Sequence, residues 1–145
     1  MTLTDTERET LIKYRTEQAH EAIEDATFLI DNNKLKLAVN RVYYGMFYIL
    51  NVLALTHKFQ TSKHHQLIGW FIKNFIKDKK IDRKYWTIIK DAFDNRSESD
   101  YGTAIEFKKA DVEKMFEDMK DFISTIEESI QKGWLPVPFL YTIFP

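Results

Sequence analysis

The 145-residue chain has no cysteine, which excludes disulfides, thiolate metal sites and a cysteine nucleophile. It has only four glycines and three prolines, and every proline follows Gly133. Long stretches without these helix breakers favour α-helices. The longest uncharged apolar run, residues 42–56, is shorter than the roughly 20 residues that span a bilayer. We therefore expect a cytoplasmic protein with no membrane segment and no secretory signal.

The charges of the chain are unevenly distributed, although they almost cancel to a net charge of −1. Residues 57–90 carry nine Lys and Arg against two Asp, whereas residues 91–129 carry twelve Asp and Glu against five Lys and Arg. A basic segment can attract phosphate. Lysine dominates this one, however, and no aromatic residues alternate with the charges as base-stacking surfaces would require. We interpret it as a solvated corner that pairs with the acidic segment.

The spacing of apolar residues predicts an all-α, up-and-down bundle of about five helices with a four-helix core. The predicted helices cover about residues 5–31, 34–56, 63–77, 83–93 and 110–132. A capping box formed by Thr4 and Glu7 should start the first helix. The second helix is apolar around most of its circumference, which predicts a central position. Residues 95–107 lack helical periodicity and contain Gly102, so we predict a loop there.

The tail of residues 134–145 is apolar, uncharged and rich in proline. Proline disfavours a helix here and favours an extended strap. An apolar strap left in water would promote aggregation. We therefore predict a helical domain of residues 1–133 and a C-terminal strap that packs on this domain or on a second copy.

A polar sector of roughly 100° runs along the second helix when its residues are placed on a helical wheel. It contains Asn40, Arg41, Tyr44, Tyr48 and Asn51. A guanidinium on an otherwise buried helix needs a carboxylate or a bound anion, because an unpaired buried charge is costly. We predict Asp100 as the partner of Arg41, with Asp94 as the second choice.

Three segments carry a resemblance to a known family. They are Ala38-Val-Asn-Arg-Val-Tyr-Tyr44, Ser62-Lys-His64 and Arg96-Ser-Glu-Ser-Asp-Tyr101. In this order and spacing, with Phe71 seven residues after His64, they resemble the HEPN family, small helical proteins often found beside minimal nucleotidyltransferases. The resemblance covers about residues 10–130.

This resemblance implies a helical bundle that binds a nucleotide, RNA or a nucleotidyltransferase partner, in a toxin–antitoxin or defence system. The ligand-binding residues would be Asn40, Arg41, Tyr44, His64 and Arg96. HEPN proteins commonly dimerise. The apolar circumference of the second helix also favours a homodimer, because one core cannot cover all of it.

Two alternatives to ligand binding remain open. The ribonuclease branch of the family has an arginine followed about four to six residues later by a histidine, but no histidine follows His65 here. A divergent, metal-independent ribonuclease would instead use Arg96, Asp100 and Tyr101, together with His64. The other alternative is a structural or interaction module whose polar cluster only fixes the helices.

We expect no metal site and no cofactor. Glu17 and His20 have the spacing of one ligand pair of a di-iron bundle, but such a site needs a second pair and two further glutamates. The Arg15 and His20 pair matches the ribonuclease spacing, yet these residues point about 140° apart on one helix. The chain also lacks a Gly-rich phosphate loop and a nucleophile elbow.

Overall fold

The computed structural model describes residues 2–101 and 106–133. Within these ranges the chain is an all-α bundle, as predicted. Its helices are α1 (Asp5–Asp31), α2 (Leu35–Thr56), α3 (His64–Phe71), α4 (Lys84–Tyr101) and α5 (Lys109–Gly133), and a π-helical turn (Ile72–Ile76) extends α3. The predicted packing of residues 134–145 lies outside the described residues and stays a prediction.

Local signals determine where α1 begins and ends. The Thr4 hydroxyl accepts a hydrogen bond from the Glu7 N–H at 3.1 Å, and the Glu7 carboxylate accepts one from the Thr4 N–H at 3.0 Å. This confirms the predicted capping box. After Asp31, Asn33 adopts a left-handed conformation with φ of 58°, which asparagine tolerates better than most residues. The chain therefore reverses, and α2 runs back along α1.

The central helix is α2, which contacts α1, α3, α4 and α5. Its large side chains Tyr43, Met46, Ile49, Leu50 and Leu53 are at most 1% exposed. Burying each such side chain contributes about 1.5–3 kcal/mol. Because one chain already covers these positions, α2 has little surplus apolar surface to support the predicted homodimer. No helix in the described part of the chain is long and apolar enough to cross a membrane.

The prediction of a loop over residues 95–107 is wrong for residues 95–101, which continue α4. Asp82 caps the start of this helix by accepting the Lys84 N–H at 2.8 Å. Near the other end, Arg96 and Asp100 form an i,i+4 ion pair with 2.9 Å between Nε and Oδ2. Such ion pairs can support a helical segment that has no apolar stripe. For this reason the apolar periodicity did not predict a helix over residues 95–101.

Two pairs of contacts fix how α4 lies in the bundle. On one side, Tyr85 contacts Thr125 at 2.9 Å and Asn95 lies against Met115, so α4 and α5 are antiparallel. On the other side, Arg96 reaches Tyr44 of α2. The C-terminal half of α4 therefore borders the polar sector of α2.

Gly45 allows α1, α2 and α5 to pack closely. A Cβ at this position would lie 2.9 Å from the sulfur of Met119 and 3.2 Å from the Cβ of Ala22. By contrast, a Cβ at Gly69 would meet nothing within 4 Å. We expect Gly69→Ala to stabilise the protein by up to about 1 kcal/mol through helix propensity.

Gly45→Ala gains the same propensity but must crowd the core, which typically costs about 1–3 kcal/mol. We expect a net destabilisation of roughly 1 kcal/mol. Urea unfolding of both variants beside the wild type measures the difference. Equal stabilisation by the two substitutions would contradict the close packing at Gly45.

Candidate functional site

Two consecutive tyrosines of α2 begin the site. Tyr43 points into the core, whereas Tyr44 lies half-buried at the edge, and their rings meet edge to face at 5.3 Å. A buried phenol needs a hydrogen-bond partner. The Tyr43 hydroxyl finds one in Nδ1 of His64, at 2.6 Å. Tyr43 was not among the predicted site residues, because on a helical wheel it lies among apolar residues.

His64 opens α3 and stacks on Phe47, with 4.1 Å between ring centroids and 10° between planes. Burial lowers the pKa of His64, and the nearby charges of Arg96 and His65 lower it further. Burial also raises the pKa of Tyr43. The lowered pKa favours the neutral imidazole, and the Tyr43 hydroxyl and His64 Nδ1 share one hydrogen bond.

Arg96 joins α4 to this pair of tyrosines. One of its terminal nitrogens, Nη2, donates to the Tyr44 hydroxyl at 2.8 Å, and its guanidinium carbon lies 5.3 Å from the Tyr44 ring centroid. Nε is buried and lies 2.9 Å from Asp100 Oδ2, but it makes no hydrogen bond of good geometry. The contact with Asp100 is thus an ion pair that balances the charge without using the whole donor capacity of Arg96.

The predicted pairing of Arg41 with Asp100 is wrong. Asp100 contacts Arg96, and the second choice, Asp94, contacts Lys90 at 3.3 Å. Arg41 instead donates from Nε and Nη2 to the amide oxygen of Asn40, at 3.2 and 2.9 Å. Arg41 is only half-buried, so a neutral amide suffices where a deeply buried guanidinium would need a carboxylate. No ion pair joins Arg41 to a carboxylate among the side chains that the structure describes, which do not include that of Glu98.

Arginines and tyrosines alternate across this surface. The Arg41 guanidinium carbon lies 5.3 Å from the Tyr44 ring, so Tyr44 has Arg41 and Arg96 as neighbours at the same distance. Tyr48 follows at 5.8 Å from Tyr44. Arg15 of α1 then lies 5.8 Å from the Tyr48 ring and 5.6 Å from the Tyr14 ring. We call these six residues, listed in chain order, the Arg–Tyr array: Tyr14, Arg15, Arg41, Tyr44, Tyr48 and Arg96.

The contacts connect all five predicted ligand-binding residues. Asn40 bonds to Arg41, Arg41 and Arg96 flank Tyr44, and the His64 ring lies 6.0 Å from Tyr44. Their role in binding stays a prediction. Asn51, from the same polar sector, bonds to the Phe47 carbonyl of its own helix at 2.9 Å. The side chain of Tyr101 lies outside the described part of the chain.

Arg15 was not among the predicted site residues, because the sequence of α1 alone carries no sign that its guanidinium reaches Tyr48 of α2. His20 itself contacts Glu127 of α5 at 3.1 Å. Over residues 2–101 and 106–133, no group of three or more His, Asp or Glu side chains could hold a metal ion.

Comparison with known proteins identifies one family and several relatives. The HEPN domain family model matches residues 12–129. A UPF0332 protein of Thermotoga maritima is 32% identical over 125 residues, which cover 86% of this chain and 95% of the relative. The Methanocaldococcus jannaschii protein named "Putative toxin MJ0142" is 31% identical over 122 residues, or 81% of this chain and 83% of the relative. A second protein from that organism, "Putative toxin MJ0605", is 27% identical over 116 residues, covering 80% and 86%.

The pKa of His64 tests the electrostatics of the site. We expect NMR titration to give a value below the ordinary 6.5. Because the unfolded chain then binds a proton that the folded chain does not, the free energy of unfolding should fall as the pH drops below about 7. His57, whose pKa is lowered by burial and by Lys80, adds to this slope, so the shift of His64 itself is the decisive measurement.

Arg96→Gln should raise the pKa of His64 without restoring it fully, since burial is the larger cause of the shift. Lys90→Gln removes a charge from the same helix at a residue that pairs with Asp94, and it should leave His64 unchanged. A wild-type pKa of 6.5 or above would contradict this description of the site.

Proposed function

The chain belongs to the HEPN domain family, and from this premise we propose that it is a toxin-like HEPN protein that binds single-stranded RNA across the Arg–Tyr array. The observation that carries the proposal is that two guanidinium carbons, of Arg41 and Arg96, each lie 5.3 Å from the centroid of the Tyr44 ring. Rings and guanidinium planes side by side are the surface on which unpaired bases and phosphates bind together.

The charges of the array favour an anion. It contains the guanidinium groups of Arg15, Arg41 and Arg96, and Asp100 balances only the last of them. Arg15 donates to the neutral amide of Gln18 and Arg41 to that of Asn40, and these two hydrogen bonds leave the positive charge of each arginine in place. Guanidinium groups bind phosphate oxygens through paired, charge-assisted hydrogen bonds.

The tyrosines of the array favour a single strand over a duplex. Tyr14 is 53% exposed, and the Tyr44 and Tyr48 rings are 5.8 Å apart. Unpaired bases stack on such rings, at about 1–3 kcal/mol per base, whereas the bases of a duplex are already stacked on each other. The array extends from α4 across α2 to α1 and so offers several adjoining contacts to a flexible strand.

The toxin-like part of the proposal has support from relatives, since two archaeal homologues carry toxin names. A toxin that binds RNA would act by sequestering or cleaving it. The minimal nucleotidyltransferase partner and the nucleotide ligand implied by the family resemblance stay predictions.

Fluorescence anisotropy with a labelled single-stranded RNA tests the binding surface. We expect Arg41→Gln to weaken binding about tenfold and to reduce the slope of log affinity against log salt by about one, because one phosphate contact is lost. Tyr48→Ala should weaken binding without changing the salt slope, because stacking releases no counterions. Arg83→Gln, which removes an arginine from the basic segment 57–90 outside the array, is the matched control and should bind as the wild type does.

Two outcomes would contradict RNA binding at the array, and a third would turn the proposal into its ribonuclease alternative. If Arg83→Gln lost as much RNA affinity as Arg41→Gln, binding would be assigned to the basic segment 57–90. A wild type that binds no RNA, with an Arg41→Gln variant that unfolds at lower urea, would leave only a structural role for the network. RNA cleavage that persists in chelator and disappears in His64→Ala would replace simple binding by the ribonuclease alternative.

We also propose a homodimer, based on exposed apolar side chains at one end of α1 and α2 and not on the whole circumference of α2. The large apolar side chains exposed in the described part of the chain are Tyr14, Phe28 and Leu37, which are 53%, 66% and 59% exposed. Phe28 lies about one turn before the reversal at Asn33, and Leu37 about one turn after it. Both therefore lie at the same end of the α1–α2 pair, next to Arg41, where two copies could cover them.

Leu37→Asp should raise the dimer dissociation constant at least about 100-fold, because a twofold interface loses the apolar contact twice. Sedimentation equilibrium of the variant and the wild type measures this. Gln131→Asp places the same charge at an exposed position on α5 and should leave the dimer intact. A wild type that is monomeric at the highest concentration reached would refute the proposal.

A further inference from the structure

A groove of about 790 Å³ lies where the π-helical turn leads into α4, outside the Arg–Tyr array. Its floor is apolar and its rim is basic. The floor consists of Ile72, Ile76, Ile81 and Trp86, and the rim carries Lys77, Lys79 and Arg83. This volume falls within the range of about 300–1,000 Å³ found for binding pockets, so the groove can accept a few large side chains.

An unusual backbone shapes this groove. The π-helical turn of residues 72–76 widens the end of α3, and π-helical turns are rare and often occur at functional sites. Lys79, which follows, has a left-handed conformation with φ of 57°. A non-glycine residue costs roughly 1–2 kcal/mol in this conformation. The surrounding contacts must therefore hold the turn in one shape.

The polar groups on the rim leave a net positive charge. Asp82, the carboxylate at the rim, caps α4 through the Lys84 N–H. Arg83 extends over the ring of Trp86, with its guanidinium carbon 5.3 Å from the ring centroid. The rim is thus suited to aromatic rings. Such rings attract the cations of Lys and Arg and pack against the aliphatic parts of these side chains.

The path of α5 brings the C-terminal segment to this end of the bundle. Thr125 of α5 contacts Tyr85, in the first turn of α4, and the two helices are antiparallel. Gly133 lies eight residues beyond Thr125, or about 12 Å further along α5. The helix therefore ends past the start of α4, at the level of the turn that forms the groove.

We propose that residues 134–145 dock in this groove of their own chain. The segment has no charged side chain, and its aromatic residues are Trp134, Phe139, Tyr141 and Phe144. Its twelve residues span up to about 37 Å as an extended polyproline helix, at about 3.1 Å per residue. It can therefore reach the groove, lay aromatic rings on the apolar floor and place others against the basic rim.

Docking within one chain is favoured over docking between copies because the segment is tethered. A short tether gives an effective concentration in the millimolar range, well above that of a second molecule in dilute solution. Docking would also remove apolar surface of both the groove and the segment from water. An acidic partner protein could pair with the basic side chains of the rim, but it would first have to displace residues 134–145 from the groove.

Crosslinking tests the proposal directly, because the 145-residue chain has no cysteine of its own. A short bismaleimide is applied to Lys79→Cys combined with Phe139→Cys. The control pair is Lys13→Cys with Phe139→Cys. Lys13 is exposed and lies on α1 at about the level where α5 ends, because His20 contacts Glu127. An undocked segment would reach either cysteine.

We expect the Lys79 pair to form an intrachain crosslink at least about tenfold faster than the Lys13 pair, and adding Phe144→Asp to slow it. Intact mass and peptide mapping identify the products. Equal rates for the two pairs, or no crosslink at Lys79, would overturn the proposal. Crosslinked dimers whose yield falls on dilution would also overturn it, since the segment would then dock on a second copy.

Discussion

The contact of the Arg96 guanidinium with Tyr43 and Tyr44 is the interaction on which this surface depends. A cation placed against an apolar helix is tolerated only when hydrogen bonds and counter-charges replace its water. The Tyr44 hydroxyl, the two ring faces and Asp100 provide these. The same charge adds to the effect of burial in lowering the pKa of His64, which shares a hydrogen bond with the Tyr43 hydroxyl. The Arg96 guanidinium of α4 thereby contacts α2 through Tyr44 and acts electrostatically on His64 of α3.

Most of the fold could be predicted from the sequence, because the signals for α1, α2 and α5 are local. A capping box, a turn with two asparagines and regular apolar spacing act within a few residues, whatever the rest of the chain does. The last turns of α4 escaped prediction for a physical reason. Residues 95–101 border the polar surface and so lack an apolar stripe, and an i,i+4 ion pair supports the helix in its place. The π-helical turn has no comparable signature in the residues that form it.

The candidate site was predictable only as far as it lies on one helix. Arg41, Tyr44 and Tyr48 share a sector of α2, and a helical wheel is enough to group them. Arg15 joins from α1, and its approach to Tyr48 depends on how the two helices pack. Tyr43 was missed because a wheel classifies a tyrosine by its ring and overlooks its hydroxyl. His64 was found through the family resemblance, but its bond to Tyr43 required the packed structure.

The contrast between Arg96 and Arg41 bears on whether the polar cluster only fixes the helices. A guanidinium that serves stability alone gains most from a carboxylate, as Arg96 does from Asp100. Arg41 has the amide of Asn40 and the face of Tyr44 instead, which satisfy some of its donors and leave its charge in place. A carboxylate at position 40 would neutralise Arg41, yet it would also repel a phosphate. The neutral amide therefore holds the guanidinium in position and keeps its attraction for an anion, which is the combination that a binding surface requires and a purely structural contact does not.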